Sequence, residues 1–455
     1  MILSDNICNV SGSGTVVESS SAVIARFMAL HPKLIDLSLD RMKRLLAELD
    51  HPEERLPPTI HVAGTNGKGS TVAFMRAILE AAGHTVHVYT SPHLVRFHER
   101  IRLGAPGGGR FVDEERLVAA LRACETVNAG RPITVFEMTT VTALSLFAEH
   151  RADVLLLEVG LGGRFDATNV IERPAAAVVT PVSMDHREYL GDRVTLIAGE
   201  KAGIFKRGCP AVIAPQEPEP AAVLEAHAER IGAALVLGGQ DFSVHEENGR
   251  LIYQDNEGLL DLPLPRLAGR HQHINAGTAI AATRAAGYGD VGIDAFERGL
   301  TNVYWPARMQ RLATGRLPAL TPKGAEIWLD GGHNPDCGRA MASAMAELEE
   351  KSSAPLILIV GMMGTKDAEG FLAPFAGLAR EVLAVPIGSQ LGARQADEVA
   401  AIARSVGLNA STHSGVEAAL TALNGYVWER PPRILIIGSL YLAGEVLAAN
   451  GTPPQ

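Results

Sequence analysis

Cysteine is scarce in this sequence, and the few cysteines present are scattered. Cys8, Cys124, Cys209 and Cys337 are the four in the chain, and no two of them form a Cys-x-x-Cys pair. That spacing fits neither a disulfide framework nor a zinc site, and it is typical of a protein in a reducing compartment. We therefore expect inert thiols and a cytoplasmic location.

Excess positive charge and long apolar runs are also lacking. Lys and Arg total 41 against 51 Asp and Glu, which gives a formal net charge of -10 at pH 7. A nucleic-acid-binding protein normally carries a basic face, so no nucleic-acid partner is predicted, although a local basic pocket for a small anion remains compatible with this balance. No apolar run approaches the roughly 20 residues that span a bilayer, and the N-terminus lacks the order of a signal peptide. We expect no membrane association.

The length and the hydrophobic pattern predict two α/β domains. A chain of 455 residues is too long for one ordinary core, and 47% hydrophobic with 20% charged residues is usual for a globular protein. Apolar strand-like runs alternate with helical periodicity, which indicates βαβ units, a mainly parallel sheet and ligands at the carboxyl ends of its strands. The strand candidates in the first part of the chain are 59–63, 153–159, 175–182 and 209–214.

The pattern changes at about residues 235–266, where polar segments interrupt short strand-like runs and predict antiparallel hairpins. A helix is predicted for 274–286. After residue 315 the alternation resumes, with strands predicted at 326–330, 355–360, 381–386 and 433–438. We place the domains at 1–312 and 313–455, and we expect a loose tail over the first twenty residues.

The glycine-rich segment Gly64–Ser70, with the sequence GTNGKGS, lies between a predicted strand and a predicted helix. Its glycines allow backbone N–H groups to surround phosphate oxygens, Lys68 adds a full charge, and the Ser70 hydroxyl is a potential magnesium ligand. Only two residues separate its first glycine from Gly67-Lys68, and Gly69 precedes Ser70, so it is a variant of the standard phosphate-loop pattern. The strand-turn-helix setting favours a nucleoside triphosphate site over an incidental turn.

These features predict an α/β fold with an N-terminal P-loop-type ATPase domain, whose mainly parallel sheet carries a small antiparallel insertion, and a C-terminal Rossmann-like α/β domain. A dinucleotide site is not predicted. The segment 160–163 begins like the dinucleotide fingerprint, but Phe165 occupies the place of its third glycine.

Glu158 and His186 follow two strands that are predicted to end at the same edge of the sheet. An ionised carboxylate at the end of an apolar strand is costly unless it is paired or binds a metal. Glu158 near the phosphate loop therefore suggests a magnesium ligand, with His186 a less usual one. The alternative is that Glu158 forms a salt bridge and His186 caps a helix. Lys201, by its pattern alone, is a solvated helix lysine.

Together, these and further segments resemble the folylpolyglutamate synthase/dihydrofolate synthase family of the Mur ligase superfamily. The resemblance runs from about residue 33 to 446. The segments that carry it are 35–37 with Arg41, 61–70, 89–94, Phe97, 99–101, Thr134, 136–137, 157–169, 185–186, 200–204, Gly269, 271–272, 275–276, 305–308, 330–335 and 438–443.

The resemblance implies an ATP site in a cleft between the two domains. It assigns ATP contacts to Asn66, Gly67, Lys68, Gly69, Ser70, Asn275, Arg308, Asp330 and His333. It assigns two magnesium ions to Ser70, Ser91, Glu158, His186 and Lys201, the last as a carbamate. It assigns the pterin of the substrate to Asp36, Leu37, Phe136, Arg164, Asp166 and Ala167. Lys68, Arg308 and His333 would act in catalysis.

The implied reaction is an ATP-dependent ligation through an acyl phosphate. L-Glutamate would be added to dihydropteroate and to the γ-carboxylate of folates, with ADP and phosphate released, by a monomeric enzyme. Two alternatives are a different amide ligase of the superfamily and a nucleotide-dependent switch. The family's usual residues are replaced by Ala307 and Gly332. The loop 361–367 follows the family only in part, so we assign it no ligand. His333 and Asp330 are possible general bases by location alone.

Overall fold

The computed structural model describes residues 18–31 and 35–455. Most of the predicted N-terminal tail and Cys8 lie outside these residues. The tail prediction is wrong at its end, because Ser20 already begins a helix whose first turn is capped by the Ser19 side chain. None of the helices in the described residues combines the length and apolarity that a membrane span requires.

The first sheet has eight strands within the described residues, in the order β4-β3-β2-β5-β1-β6-β7-β8. Six of them run parallel, and β3 and β4 add an antiparallel edge. The strands are β1 (Thr59–Ala63), β2 (Val86–Tyr89), β3 (Ile101–Leu103), β4 (Arg110–Phe111), β5 (Val154–Glu158), β6 (Ala176–Val179), β7 (Pro210–Ile213) and β8 (Ala234–Leu237).

Helices cover both faces of this sheet, because its central strands are apolar on both sides and need two buried layers. They are α1 (Ser20–Phe27), α2 (Asp40–Glu48), α3 (Lys68–Ala81), α4 (Glu114–Asn128), α5 (Val135–Glu149), α6 (Arg187–Leu190), α7 (Val194–Ala202), α8 (Pro218–Ile231), α9 (Arg270–Ala285) and α10 (Ile293–Asn302). The core between α3, α9, α10 and the sheet also receives Phe242 and Tyr253 from the antiparallel insertion.

The predicted antiparallel insertion is confirmed as a three-stranded sheet of β9 (Phe242–Glu247), β10 (Arg250–Asp255) and β11 (Gly258–Pro263). The start of the predicted segment is wrong, however, since residues 234–237 form the parallel edge strand β8 of the main sheet. A short strand such as β8 has no sequence pattern that fixes its direction, and its pairing with β7 makes it parallel. The predicted helix at 274–286 is confirmed and begins four residues earlier, at Arg270.

In the part of the chain that the structure describes, the second sheet has six strands, in the order β12-β13-β17-β14-β15-β16, and β12 is its antiparallel edge. Its elements are β12 (Gln310–Arg311), β13 (Glu326–Leu329), α11 (Pro335–Lys351), β14 (Leu356–Val360), α12 (Ala368–Leu372), β15 (Ala379–Ala384), α13 (Ala396–Ser405), β16 (Ala410–Thr412), α14 (Val416–Ala422), β17 (Arg433–Ile437) and α15 (Leu440–Asn450). All four predicted strands are present. The strands β12 and β16 are not predicted, because they are short and polar and show no run of apolar residues.

The topology brings the carboxyl ends of the strands of the two sheets to one cleft. In the first sheet, β1 leads into the phosphate loop and β5 ends at Glu158. In the second sheet, β13 leads into Asp330 and β14 leads into the loop 361–367. Loops at the carboxyl ends of parallel strands are where α/β sheets bind ligands, so the fold places this cleft as the candidate site.

Candidate active site

The phosphate loop lines a cavity of about 220 Å³ between the two sheets. Gly67 has φ +87, and a Cβ there would lie 2.3 Å from Asn275 Oδ1, so only glycine fits this turn. Helix α3 begins directly after it, at Lys68. The N–H groups of a first helical turn lack intrahelical acceptors and attract anions. The cavity is also lined by every residue predicted for the nucleotide and the metal, namely Asn66, Gly67, Lys68, Gly69, Ser70, Ser91, Glu158, His186, Lys201, Asn275, Arg308, Asp330 and His333.

Two lysine ammonium groups converge on the carbonyl oxygen of Gly64. Lys68 Nζ donates to it at 3.1 Å, and Lys201 Nζ donates to it at 2.9 Å. Lys201 is 4% exposed, so the solvated helix lysine suggested by its pattern alone is not what the fold produces. Burial, and then the charge of Lys68, lowers the pKa of the Lys201 amine to about 7. A substantial fraction of this amine is therefore neutral near pH 7.

Glu158 and His186 meet at the same cavity, although His186 also occupies the N-cap position of α6, as the alternative predicted. Glu158 is 5% exposed and forms no salt bridge within the described residues. Burial raises the pKa of its carboxyl group to about 7, against the charges of Lys68 and Arg308. His186 precedes α6 without a side-chain capping bond, and burial and the charge of Lys366 lower the pKa of its imidazole to about 3. A buried carboxylate, a neutral imidazole and the Ser70 hydroxyl suit a divalent cation.

Asp330 orders the connection between the two sheets. Its Oδ2 accepts a hydrogen bond from Met309 N and its Oδ1 one from Gly332 N, both at 2.7 Å. With both oxygens engaged, its carboxylate holds the loop in place. Ala307, in the same connection, has φ +55, which explains why glycine suits this position. At residue 332 a Cβ would lie 2.3 Å from Met341 Cε, so the methionine methyl group fills the space that an alanine would use.

Asp185 joins the two halves of the cleft. Its carboxylate accepts hydrogen bonds from Lys366 Nζ and, at 3.3 Å, from Asn334 Nδ2, and it lies 3.5 Å from His333 Nε2. Burial alone would raise the pKa of Asp185, but the hydrogen bond and charge of His333 and the charge of Lys366 hold it well below its usual range. The sequence predicts no ligand for the loop that carries Lys366. Its position after the carboxyl end of β14 was the available signal.

A second cavity of about 560 Å³ adjoins the first. Five of the six residues predicted for the pterin line it, namely Asp36, Leu37, Phe136, Asp166 and Ala167. Arg164 is not part of this lining, and its guanidinium stacks on Phe165, 4.8 Å from the ring centroid. Asp166 is buried and accepts hydrogen bonds from Leu161 N and from Thr168 N and Oγ1. Its carboxylate therefore shapes the wall of the cavity.

Arg41 and Glu137 hold the rim of this second cavity. Arg41 pairs with both Asp36 and Glu137. Glu137 and Thr134 form the capping box at the start of α5, which positions the neighbouring Phe136. A Cβ at residue 160 would lie 2.3 Å from Phe136 Cζ, so Gly160 permits the ring to approach the backbone.

Arg100 is a candidate binding residue to which the sequence analysis gave no role. Its Nε donates to His93 Nδ1 at 2.9 Å, and its guanidinium stacks on Phe97, 5.1 Å from the ring centroid. It makes no salt bridge with a carboxylate of the described residues, and burial lowers its pKa. An arginine in the wall of the second cavity without a carboxylate partner is suited to bind an anionic substrate group.

Family models match both halves of the chain. Residues 62–283 match the Mur ligase middle domain, and residues 308–440 match the Mur ligase glutamate ligase domain. The dihydrofolate synthase/folylpolyglutamate synthase of Escherichia coli is 34% identical over 365 residues, which cover 80% of this chain and 81% of that protein. The enzyme of the same name from Bacillus subtilis is 37% identical over 333 residues, covering 68% and 72%.

Solved structures show the same similarity. The structure of E. coli FolC in complex with DHPP and ADP has a TM-score of 0.85 and 31% identity, covering 96% of this chain and 98% of that one. The Yersinia pestis bifunctional folylpolyglutamate synthase/dihydrofolate synthase complexed with AMPPNP and Mn ion has a TM-score of 0.83 and 30% identity, covering 96% and 99%. The fold, both family models and these relatives agree, and the chain belongs to the folylpolyglutamate synthase/dihydrofolate synthase family of the Mur ligases.

Proposed function

We propose that this protein is an ATP-dependent ligase that adds L-glutamate to dihydropteroate and to the γ-carboxylate of folates through an acyl phosphate. One observation carries the proposal. The cavity lined by the phosphate loop, here called the nucleotide cavity, shares a wall with the second cavity, and this wall includes Ser91, His186 and His333. An acid in the second cavity thus presents its carboxylate to the terminal phosphate of a nucleotide, beside the candidate metal ligands. The names of the relatives and the ligands in their structures support the same reaction.

Each part of the nucleotide cavity has a role in this proposal. The phosphate loop, Lys68 and the N-terminus of α3 would hold the phosphates of ATP, and we assign the nucleoside contacts to Asn275 and Asp330, which line the same cavity. Arg308, in the connection before β12, and His333, in the loop after β13, would reach the transferring phosphoryl group. Ser70, Ser91, Glu158, His186 and a modified Lys201 would hold two magnesium ions, which supply positive charge to the phosphate oxygens. Catalysis then depends mainly on positioning and electrostatics.

We propose that Lys201 is carbamylated. The lowered pKa supplies the neutral amine that attacks CO2, so that a C–N bond forms and the amine loses a proton. The product is an anion, which relieves the repulsion between Lys201 and Lys68 and offers oxygen ligands to a hard cation. An unmodified ammonium beside bound metal ions would be strongly unfavourable.

The ligation itself needs no covalent attachment to the enzyme. A carboxylate oxygen attacks the γ-phosphorus of ATP, and ADP leaves with the bonding electron pair. The glutamate amine then attacks the carbonyl carbon of the acyl phosphate, the C–N bond forms, phosphate departs and the amine proton is lost. Closure of the second domain over the cleft would exclude water from the acyl phosphate. Asp185 links the two domains at this point through Lys366, Asn334 and His333.

The assay that tests the function compares phosphate release with dihydropteroate and glutamate present and with each omitted. We expect release to require both, because the acyl phosphate is protected until the amine attacks it. A switch-type NTPase would release phosphate at the same rate in all three mixtures, and that result would end the ligase assignment. A cell-wall-type ligase would fail with dihydropteroate but accept a nucleotide-linked acid.

Arg100 gives a prediction for the acid substrate. We expect Arg100→Gln to raise the KM for dihydropteroate about tenfold or more, because one charge-assisted hydrogen bond to the substrate carboxylate is worth about 1.5–3 kcal/mol. The KM for ATP should change little. Steady-state kinetics with each substrate varied in turn makes the measurement, and Arg110→Gln, at an exposed edge-strand position, is the control. An unchanged KM for the acid would remove Arg100 from the binding site.

The division into domains at residue 312, the monomeric state and the cytoplasmic location stay predictions. The first sheet and its insertion end at Pro263, and the second sheet begins at Gln310. Sedimentation of the purified protein measures the monomer prediction directly.

A further inference from the structure

A third, smaller cleft of about 70 Å³ opens from the same point as the two larger cavities. Ser91, Pro92 and Leu440 line all three. The small cleft lies between α3, the strand β3 and the connection at residues 304–308, and its lining runs from Gly69 and Glu158 to the exposed Tyr304 and Gln455. It therefore connects the place where the acyl phosphate would form with the protein surface.

The walls of this cleft carry hydrogen-bond donors that lack acceptors. Arg102 Nε and Trp305 Nε1 are both buried without a hydrogen-bond partner among the described residues. The nearest carboxylate oxygen to Arg102 Nε is Glu80 Oε1 at 3.9 Å, which already accepts the N–H of Gly109. A buried unsatisfied donor destabilises the fold, so each of these groups favours an acceptor in the cleft that both residues line.

Three arginines and two carboxylate side chains line this cleft, namely Arg76, Arg102 and Arg308 with Glu99 and Glu158. Arg76 lines it beside Arg102 and donates one hydrogen bond, to the carbonyl oxygen of Tyr304 at 3.2 Å. Burial and the charge of Arg76 lower the pKa of Arg102 to about 10, against the nearby Glu80. The carboxylate of Glu99, which lines the cleft, accepts the backbone N–H groups of residues 94, 95 and 96. Among the described residues, Glu80 is the carboxylate close to both Arg76 and Arg102, and it is hydrogen-bonded to neither.

We propose that this arginine cleft, formed by Arg76, Arg102 and Trp305, is an oxyanion subsite that receives the inorganic phosphate released in ligation. The inference rests on the proposed function. When the amine displaces phosphate from the acyl phosphate, ADP occupies the nucleotide cavity and the amide product the second cavity. Phosphate then has the small cleft as its remaining path. A cleft one-eighth the volume of the second cavity is of the order of a small anion and excludes another pterin or nucleotide.

The side chains around the two arginines keep them in place for this role. Arg102 lies over the ring of Phe111, 5.6 Å from its centroid. Arg76 lies on α3 seven residues after Gly69, which is about 10 Å along the helix axis from the phosphate loop. A phosphate ion released beside the candidate metal ligands would therefore need to move by about two helical turns to contact the arginines.

The test measures binding of inorganic phosphate to the protein saturated with ADP and Mg²⁺, by titration calorimetry or by broadening of the ³¹P resonance. We expect Arg102→Gln and Arg76→Gln each to raise the Kd for phosphate about tenfold, which corresponds to about 1.4 kcal/mol. Arg102→Lys, which keeps the charge, should retain most of the binding. The matched control is Arg298→Gln, which removes one charge from an arginine that contacts the other end of α3, at the carbonyl oxygen of Ala81.

Kinetics separates phosphate from the other possible occupant, the carboxylates of the incoming glutamate. We expect product inhibition by phosphate to weaken about tenfold in Arg102→Gln, with the KM for glutamate unchanged. A raised KM for glutamate with unchanged phosphate binding would overturn the proposal, as would phosphate binding that is equal in both arginine variants and the wild type. If the wild type forms no amide but the arginine variants still lose phosphate binding, the subsite is supported and the ligase assignment is wrong. Thermal melting shows that each variant is folded.

Discussion

Replacement of Lys201 by alanine is expected to lower kcat about 10³-fold or more and to leave the fold intact. A carbamate at Lys201 would offer oxygen ligands to a magnesium ion, which would supply positive charge during phosphoryl transfer, and a lost metal interaction of several kcal/mol corresponds to a factor of this size. The measurement is the rate of ADP formation with dihydropteroate and glutamate, at saturating ATP.

The same variant distinguishes a carbamate from a lysine that only holds the phosphate loop. Short carboxylates such as acetate or formate are expected to restore part of the activity of Lys201→Ala, because they can occupy the space beside the metal and replace the lost oxygens. They should not affect the wild type or Lys351→Ala, a control at an exposed helix lysine. If Lys201→Ala is fully active, the carbamate assignment is wrong. If it is inactive and carboxylates restore nothing, Lys201 acts through its hydrogen bond to Gly64.

Glu158→Gln is expected to lower catalysis by a similarly large factor but to raise the stability of the metal-free protein. The substitution keeps the shape of the side chain and removes a charged metal ligand, so we expect a loss of about 10³-fold in kcat/KM for MgATP. The carboxyl group of Glu158 has its pKa raised to about 7 in the folded chain, from 4.5, chiefly by burial. Ionisation in the folded state therefore costs stability. That cost grows as the pH rises from about 4.5 to 7 and is complete above it.

Melting experiments at pH 8 measure this second effect. Without metal, Glu158→Gln should melt at a higher temperature than the wild type, since the amide does not carry the buried charge. With Mg²⁺ and ADP, the wild type should gain stability by binding and the variant should gain much less. The control is Glu149→Gln, at the exposed end of α5, which should resemble the wild type in both conditions. A variant that melts below the wild type without metal would show that Glu158 has a structural partner.

The sequence predicted the two α/β domains well because their signal is local. The central strands are continuous apolar runs, such as Val154–Glu158 and Leu356–Val360, and they are buried on both faces. The phosphate loop was recognised from glycines next to a lysine between a strand and a helix. Where the local signal is weak, prediction failed. Residues 235–237, at the start of the segment predicted to form hairpins, belong to the parallel strand β8, and the apolar pattern predicts neither of the two- and three-residue strands β12 and β16.

The candidate site could be predicted to the level of residue types at strand ends, but not to the level of environment. Lys201 illustrates the difference. Its pattern on α7 suggests a solvated lysine, yet the helix packs so that its ammonium is buried 2.9 Å from the carbonyl oxygen of Gly64, 137 residues away in the chain. The resemblance to the family identifies Lys201 as a candidate metal ligand. Only the fold shows that burial lowers the pKa of its amine to about 7. Burial and charge at a side chain depend on elements that are distant in sequence.

What the sequence determined by itself is therefore the set of elements and the chemistry at the end of each strand. The periodicity of apolar residues and the glycine-rich turns encode both within short segments. The tertiary structure decided which of these ends meet. It placed Asp185 against Lys366 and His333 of the second half of the chain. It also brought Arg100, which has no carboxylate partner in the described part of the chain, into the wall of the second cavity, and it placed Arg76 and Arg102 in the lining of one cleft. These contacts arise between residues far apart in the chain, and packing of the two sheets around one cleft is their physical cause.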